Sequence, residues 1–289
     1  MKTHLFPLAL ICLLTISCSV QEPDTQGIVS PGDDVFYATL ESYAGPDTKV
    51  YVDEKIKMHW DEGDLISMFN KTTLNQEYRF DGKTGDYAGN FKEVPSDSFG
   101  TGNPLDYLCA VYPYQSTPLT KISNDDVLTL TLPAEQVYQE GSFGPGANTM
   151  VSVTKGNPLM FKNVGGYLVL KFYGKGISIS SIKLEGNNGE KLSGKATMTP
   201  VIGEAPKITL SDDKATSITL TCDKPVELDE SKENSTLFWM VVPPTSFSKG
   251  FKLTVTGSDG KEFIKNTDKN LSIVRNTLLR IAPIEVKFN

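Results

Sequence analysis

The sequence predicts an all-β protein built from antiparallel sandwiches. Three observations carry that prediction. Apolar and polar residues alternate with period two along most of the chain, and a 3.6-residue period is almost absent. Gly, Pro, Asn and Asp interrupt the alternating runs at the places where turns belong. The runs are short and numerous, which is the pattern of sandwiches and not of alternating strands and helices.

The chain begins MKTHLFPLALICLLTISCSVQEPDTQ. Lys2 precedes an apolar run, Phe6 to Ile16, that is shorter than the ~20 residues of a membrane-spanning helix. It ends at Ser17-Cys18, a small residue followed by cysteine, as in a bacterial lipobox. Thr15 stands where a leucine is usual, so an ordinary secretory signal is the alternative. Residues 1–17 read as a lipoprotein signal peptide with Cys18 as the lipid attachment point. Residues 18–33 are polar with two prolines and read as a flexible tether.

Two sandwich domains follow, at 34–153 and 154–289. The division falls near "GSFGPGANTM" and "KGNP", which are rich in glycine and turn residues. In "KMHWDEGDLISMF", Ile56, Met58 and Trp60 alternate with Lys55, Lys57 and His59, which points Trp60 inward. Asp61-Glu62-Gly63-Asp64 then reads as a hairpin turn, with Gly63 at positive φ and the carboxylates in solvent. In "DDVLTLTLP" the inward set is Leu128, Leu130 and Leu132; in "YLVLKFYG" it is Leu168, Leu170 and Phe172. "TSITLTCD" buries Ile218, Leu220 and Cys222, and "GFKLTVTG" buries Phe251, Leu253 and Val255. In "LLRIAPIEVKFN" the apolar positions change from odd, Leu279 and Ile281, to even, Ile284, Val286 and Phe288. The slip at Ala282-Pro283 predicts a bulge or bend.

Composition and motifs narrow the function. The net charge is −7 and no basic cluster occurs, which argues against nucleic acid as a partner. After Cys18 only Cys109 and Cys222 remain, both in alternating runs, and they read as buried free thiols. His59 is the single histidine after the leader, so a zinc site would need carboxylates to complete it. The D-E-G-D turn lacks the ligand spacing of a calcium loop. No G-x-S-x-G elbow, P-loop or dinucleotide fingerprint is present. The chain therefore reads as a non-enzyme with no cofactor or metal.

Seven segments in order resemble the fimbrillin-like proteins of the type V pilin superfamily. They start with W-x-x-G-D-x-I-x-x-F at Trp60, Gly63, Asp64, Ile66 and Phe69. "YLCAVYPY" follows, then L-P-x-x-Q at Leu132, Pro133 and Gln136, then "NPLMFKNVGGYLVLKF" and "ISSIKLEGNNGEKLSGKATM". "LFWMVVPPTSF" and "IVRNTLLRIAPIEV" close the series, which spans residues 35 to 289.

The resemblance implies two tandem transthyretin-like antiparallel β-sandwich domains and an outer-membrane lipoprotein that is exposed at the surface or built into a fimbrium. It implies other fimbrillin subunits as partners, joined by strand exchange, and a host or bacterial surface ligand in an adhesion role. "DDVFYATLESY" is then the removable strand, with Phe36, Ala38 and Leu40 on one face. Polymerising members are cut after an arginine in the following loop; here that loop ends at Lys49, and no arginine precedes Arg79. The C-terminal strand, with Ile284, Val286 and Phe288, either finishes its own sheet or reaches a neighbour. A surface glycan-binding lipoprotein is the alternative reading, using tyrosines such as Tyr43, Tyr51, Tyr87, Tyr107, Tyr112 and Tyr114.

Overall fold

The computed structural model describes residues 35–42, 58–96, 100–211 and 215–288, and these lie within one compact unit. Cys18 and Lys49 fall outside the described residues. Twenty-three strands and no helix occur among the described residues. In chain order they are β1 (Val35–Leu40), β2 (Leu65–Thr72), β3 (Gln76–Phe80), β4 (Ala88–Glu93), β5 (Pro104–Tyr112), β6 (Lys121–Ile122), β7 (Leu128–Leu132) and β8 (Glu135–Gln139). There follow β9 (Ser142–Phe143), β10 (Met150–Thr154), β11 (Leu159–Asn163), β12 (Gly166–Tyr173), β13 (Ser178–Gly186), β14 (Gly194–Met198), β15 (Thr209–Leu210) and β16 (Ser217–Glu227). The last are β17 (Thr236–Val242), β18 (Thr245–Phe247), β19 (Phe251–Gly257), β20 (Glu262–Asn266), β21 (Leu271–Ile273), β22 (Leu278–Arg280) and β23 (Ile284–Glu285).

Seven strands close a barrel in the order β1-β11-β10-β5-β2-β3-β4. Its interior is aromatic: Trp60 packs against Phe80, Phe91, Tyr112 and Phe161 with ring centroids 5.0 to 5.9 Å apart. Edge-to-face geometry dominates, the arrangement that aromatic quadrupoles prefer. The other face of β2, β5 and β10 carries Phe69, Cys109, Val111 and Val151, which pack against Leu128 and Leu130 in a four-stranded sheet, β15-β14-β7-β6. A second core lies between a six-stranded sheet, β20-β19-β13-β16-β8-β9, and a sheet of β17, β12 and the edge formed by β22 and β23. Leu168, Leu170, Phe172, Ile182, Phe238 and Leu253 fill the core between them. Tyr167 and Val169, on the opposite face of β12, are also buried, so this strand is apolar on both sides.

Strand pairing crosses the division expected at residues 153 and 154. β11 lies beyond it and pairs with β1 and β10 to complete the barrel. β14 pairs with β7, and β8 pairs in parallel with β16. The end of the glycine-rich stretch before β10 is packed: Ala147, Asn148 and Thr149 are all buried, while Gly141 and Pro145 are exposed.

The opening turn forms, with Gly63 at φ +83° and the Asp64 N–H donating to Asp61 O at 3.0 Å. Two details differ from a simple hairpin. Trp60 bridges to Asp86, while β2 pairs with β3 and β5. Asp64 is half-buried, because its carboxylate accepts the Tyr112 hydroxyl at 3.1 Å and the Asp61 N–H at 2.8 Å. Burial raises its pKa above the usual carboxylate value, against the lowering effect of those two hydrogen bonds.

Candidate strand-exchange site

β1 is inserted between two strands, antiparallel to β4 and parallel to β11. Its VFYATL sequence alternates, and the alternation decides what each side chain meets. Phe36 and Ala38 are buried in the barrel, Leu40 packs against the same cluster, and Tyr37 points to solvent. Phe36 meets Tyr78 edge-on at 5.5 Å. Ala38 is fully buried opposite Gly89, where an added Cβ would come within 3 Å of the Phe80 ring, so this wall has no slack.

β11 begins beside Ala38, so the first residues of β1 lack that backbone partner. The Asn157 side chain supplies it, accepting the Tyr37 N–H at 2.8 Å. The far end of β1 is tied down more heavily. Glu41 N–H donates to Phe161 O at 3.0 Å, and the Glu41 carboxylate accepts from Arg275 Nη1 and from the Asn163 N–H. Arg275 Nη1 also donates to Asn163 O at 3.0 Å. The Asn276 amide donates to Ser42 O at 2.8 Å and accepts from Asn163 Nδ2 at 2.8 Å. Arg275 and Asn276 belong to the turn between β21 and β22, so a turn near the C-terminal end of the chain holds the end of the first described strand. Glu41, Asn157, Asn163, Arg275 and Asn276 all lie in segments that the sequence singles out, but none is marked there individually, since each matters through a partner more than a hundred positions away.

The C-terminal residues sit in this chain's own second core. Ile284 is registered with Phe172 of β12, Val286 is buried, and Phe288 is half-buried against the same cluster. Leu279 and Ile281 pack there too. The slip at Ala282-Pro283 therefore keeps both apolar sets on one core, and the break between β22 and β23 absorbs the extra residue.

Elsewhere the side chains serve structure. His59 Nδ1 lies 2.7 Å from Gly85 O, and its ring lies against Tyr87, tilted by 35° with centroids 4.5 Å apart. Among the described residues no three His, Cys, Asp or Glu side chains converge as metal ligands. Tyr107 is buried and bonded to Asp126, and Tyr112 bonds Asp64, so these two do not share an open face with Tyr87. Gln136, of the L-P-x-x-Q segment, is 3% exposed. Its amide donates to Val241 O at 2.7 Å and accepts the Val241 N–H at 2.9 Å, pinning β8 to β17 as a short strand would.

No protein-family model matches the chain, and neither does any curated protein. Among solved structures it is similar to a candidate cell-adhesion protein of Bacteroides ovatus, at 15% identity over 87% of this chain and 91% of that one, TM-score 0.48. A candidate cell-adhesion protein of Bacteroides uniformis is similar at 17% identity, 88% and 94% coverage, TM-score 0.47. So is the tip fimbrial protein Mfa3 of Porphyromonas gingivalis with C-terminal truncation, at 11% identity, 85% and 94% coverage, TM-score 0.30. By the order of its motifs this chain resembles the fimbrillin-like proteins, and the structures it is similar to include candidate cell-adhesion proteins and a tip fimbrial protein.

Proposed function

We propose that this chain is a surface-exposed fimbrillin-like lipoprotein that takes part in adhesion, as a pilus subunit or as a pilus anchor or accessory component, and that it joins its neighbours by β-strand exchange. One observation carries the reading: the first described strand, β1, is short and fills a slot between β4 and β11 with core side chains, and the sequence after it runs through Gly45, Pro46 and Asp47 to Lys49. Removal of β1 would leave two unpaired strand edges and uncover Phe91, Leu159 and Phe161. Such an edge beside an apolar groove takes up another extended segment, with backbone pairing for affinity and alternate side chains for fit. A head-to-tail contact of that kind repeats into a filament.

Two transthyretin-like sandwiches that share strands is the architecture this reading assigns. Cys18 is the proposed lipid attachment to the outer membrane, and Lys49 the proposed processing site. The proposed donor is the C-terminal strand of the neighbouring subunit, around Ile284, Val286 and Phe288, and the proposed target is a host or bacterial surface ligand.

The test is limited trypsin digestion of the folded precursor, followed by N-terminal sequencing and SDS gels without boiling. A new N-terminus at Val50 together with SDS-resistant ladders supports a subunit that polymerises. A clean cut at Lys49 with no higher species rules out self-polymerisation.

A further inference from the structure

We propose that a cleft beside the barrel binds a neutral saccharide unit, with one sugar hydroxyl seated between the Trp60 indole and the Asn148 amide. The inference rests on the adhesion part of the reading above, to which it adds a ligand class, and it does not depend on strand exchange. The cleft holds about 360 Å³, within the ~300–1,000 Å³ of small-molecule sites. Trp60, Tyr112 and Met150 line it from the barrel's core cluster, and Phe143 and Pro145 line it from β9 and the segment after it. Two lining residues are buried and carry a polar atom with no hydrogen-bond partner. Trp60 is 1% exposed and its Nε1–H has none; Asn148 is 2% exposed and its Oδ1 has none. The orientation of the Asn148 amide is fixed by a relay. Ser42 O can only accept, so Asn276 donates to it through Nδ2. Asn276 Oδ1 then accepts from Asn163 Nδ2, and Asn163 Oδ1 accepts from Asn148 Nδ2 at 2.7 Å. Asn148 Oδ1 is the free end of that relay. One donor and one acceptor are thus left over on one cleft, and each is costly to leave unmade.

The pair selects the ligand's chemistry. It calls for a group that accepts from the indole and donates to the amide. A hydroxyl does both, whereas a carboxylate or phosphate only accepts and an ammonium only donates. Asp61, an exposed lining residue, adds a carboxylate that repels anions. Among the described residues of the lining there is no lysine or arginine to offset it. The aromatic and thioether lining suits the C–H faces of a ring. A neutral sugar joins these features: hydroxyls that donate and accept, carried on a ring with apolar faces. Met58 lies over the amide, with Sδ 3.4 Å from Asn148 Nδ2. Its unbranched side chain moves aside as the hydroxyl enters.

The test uses the full chain labelled with nitrogen-15. The chain has two tryptophans, so one indole N–H signal reports on the cleft and the other, from Trp239, is a buried control. Trp239→Phe assigns them. The probes are the methyl glycosides of glucose, galactose, mannose, fucose and N-acetylglucosamine, with methyl glucuronide and an N-acetyl-lysine methylamide as charged controls. At least one neutral glycoside should shift the Trp60 indole proton downfield, saturably, and leave Trp239 in place. Asn148→Leu removes the acceptor, and Ser142→Trp adds bulk from a half-buried lining position of β9. Each should weaken that glycoside about tenfold or more, while hydrogen exchange at Leu168–Phe172 stays at the wild-type rate. If Asn148→Leu does not fold, Ser142→Trp decides. Binding that persists in Ser142→Trp, or that leaves the Trp60 signal unmoved, overturns the site. Tighter binding of the glucuronide or the lysine derivative overturns the saccharide class. No shift with any probe overturns the proposal and leaves water as the partner of both atoms. Beads coated with the chain are then tested on mucin and on bacterial capsular polysaccharide, with the bound glycoside as competitor. Competed adherence supports the site and names the source of the saccharide. Adherence that is not competed overturns the cleft as the adhesion site while adhesion stands. Glycoside binding in solution without adherence to either coat overturns adhesion while the cleft stands.

Discussion

Trp60 touches four other rings in the barrel and is 1% exposed, so its truncation opens a hole that rigid neighbours cannot close. Trp60→Ala should cost about 3–5 kcal/mol. The exposed pair Asp61→Asn and Glu62→Gln should stay within about 0.5 kcal/mol of the wild type. Urea unfolding with and without EDTA measures both, and an EDTA-dependent loss in the wild type would restore a metal at this turn. The thiols give a second check. Burial, then Asp223, pushes the Cys222 thiol up to about 11, and burial raises Cys109 further. At pH 8 alkylation of Cys222 should run about a hundredfold slower than that of a free cysteine and rise steadily toward pH 11. Cys109 should react only on unfolding. Free-cysteine rates at Cys222 would mean that its burial is wrong. Trp60 and Cys109 were legible because alternation alone assigns their side; Cys222 faces the core as expected but is only half-buried. Glu41 was not: its partner Arg275 lies 234 positions away, and nothing local marks either residue.

Strands were the most legible level, because period two records which face meets the core. Leu128, Leu130, Phe251, Leu253 and Val255 are all buried where the alternation places them. Partners were less legible, since a strand's own sequence carries little about which edge it joins. β8 shows why this matters. It pairs with β16 through backbone, and its hydrogen-bonded link to β17 runs through one side chain, Gln136. Gln136→Ala leaves the Val241 N–H and C=O without their partner in a buried position. The expected loss is about 1–3 kcal/mol, with faster hydrogen exchange concentrated at Val241 and its neighbours. A Gln136→Ala protein as stable as the wild type would show that water replaces the amide.

The two halves trade strands, and that has a direct consequence for fragments. Residues 34–153 lack β11, which closes the barrel, and β14, which pairs with β7 over the barrel's outer layer. Expressed alone this fragment should give no dispersed amide spectrum, and mixing it with residues 154–289 should restore one. A well-folded isolated fragment would refute the interlocked arrangement. For the same reason the whole chain should unfold in one transition and not two. The trade was illegible in sequence because a glycine-rich stretch looks like a hinge, whereas here its last residues, Ala147, Asn148 and Thr149, are buried. Its consequence reaches into inheritance. A genetic crossover near codon 153 would join a front half and a back half that had never been fitted to each other, and each would be missing the strands the other supplies. Variants of this molecule should therefore change by point substitution and loop insertion along an intact reading frame, and not by the swapping of modules.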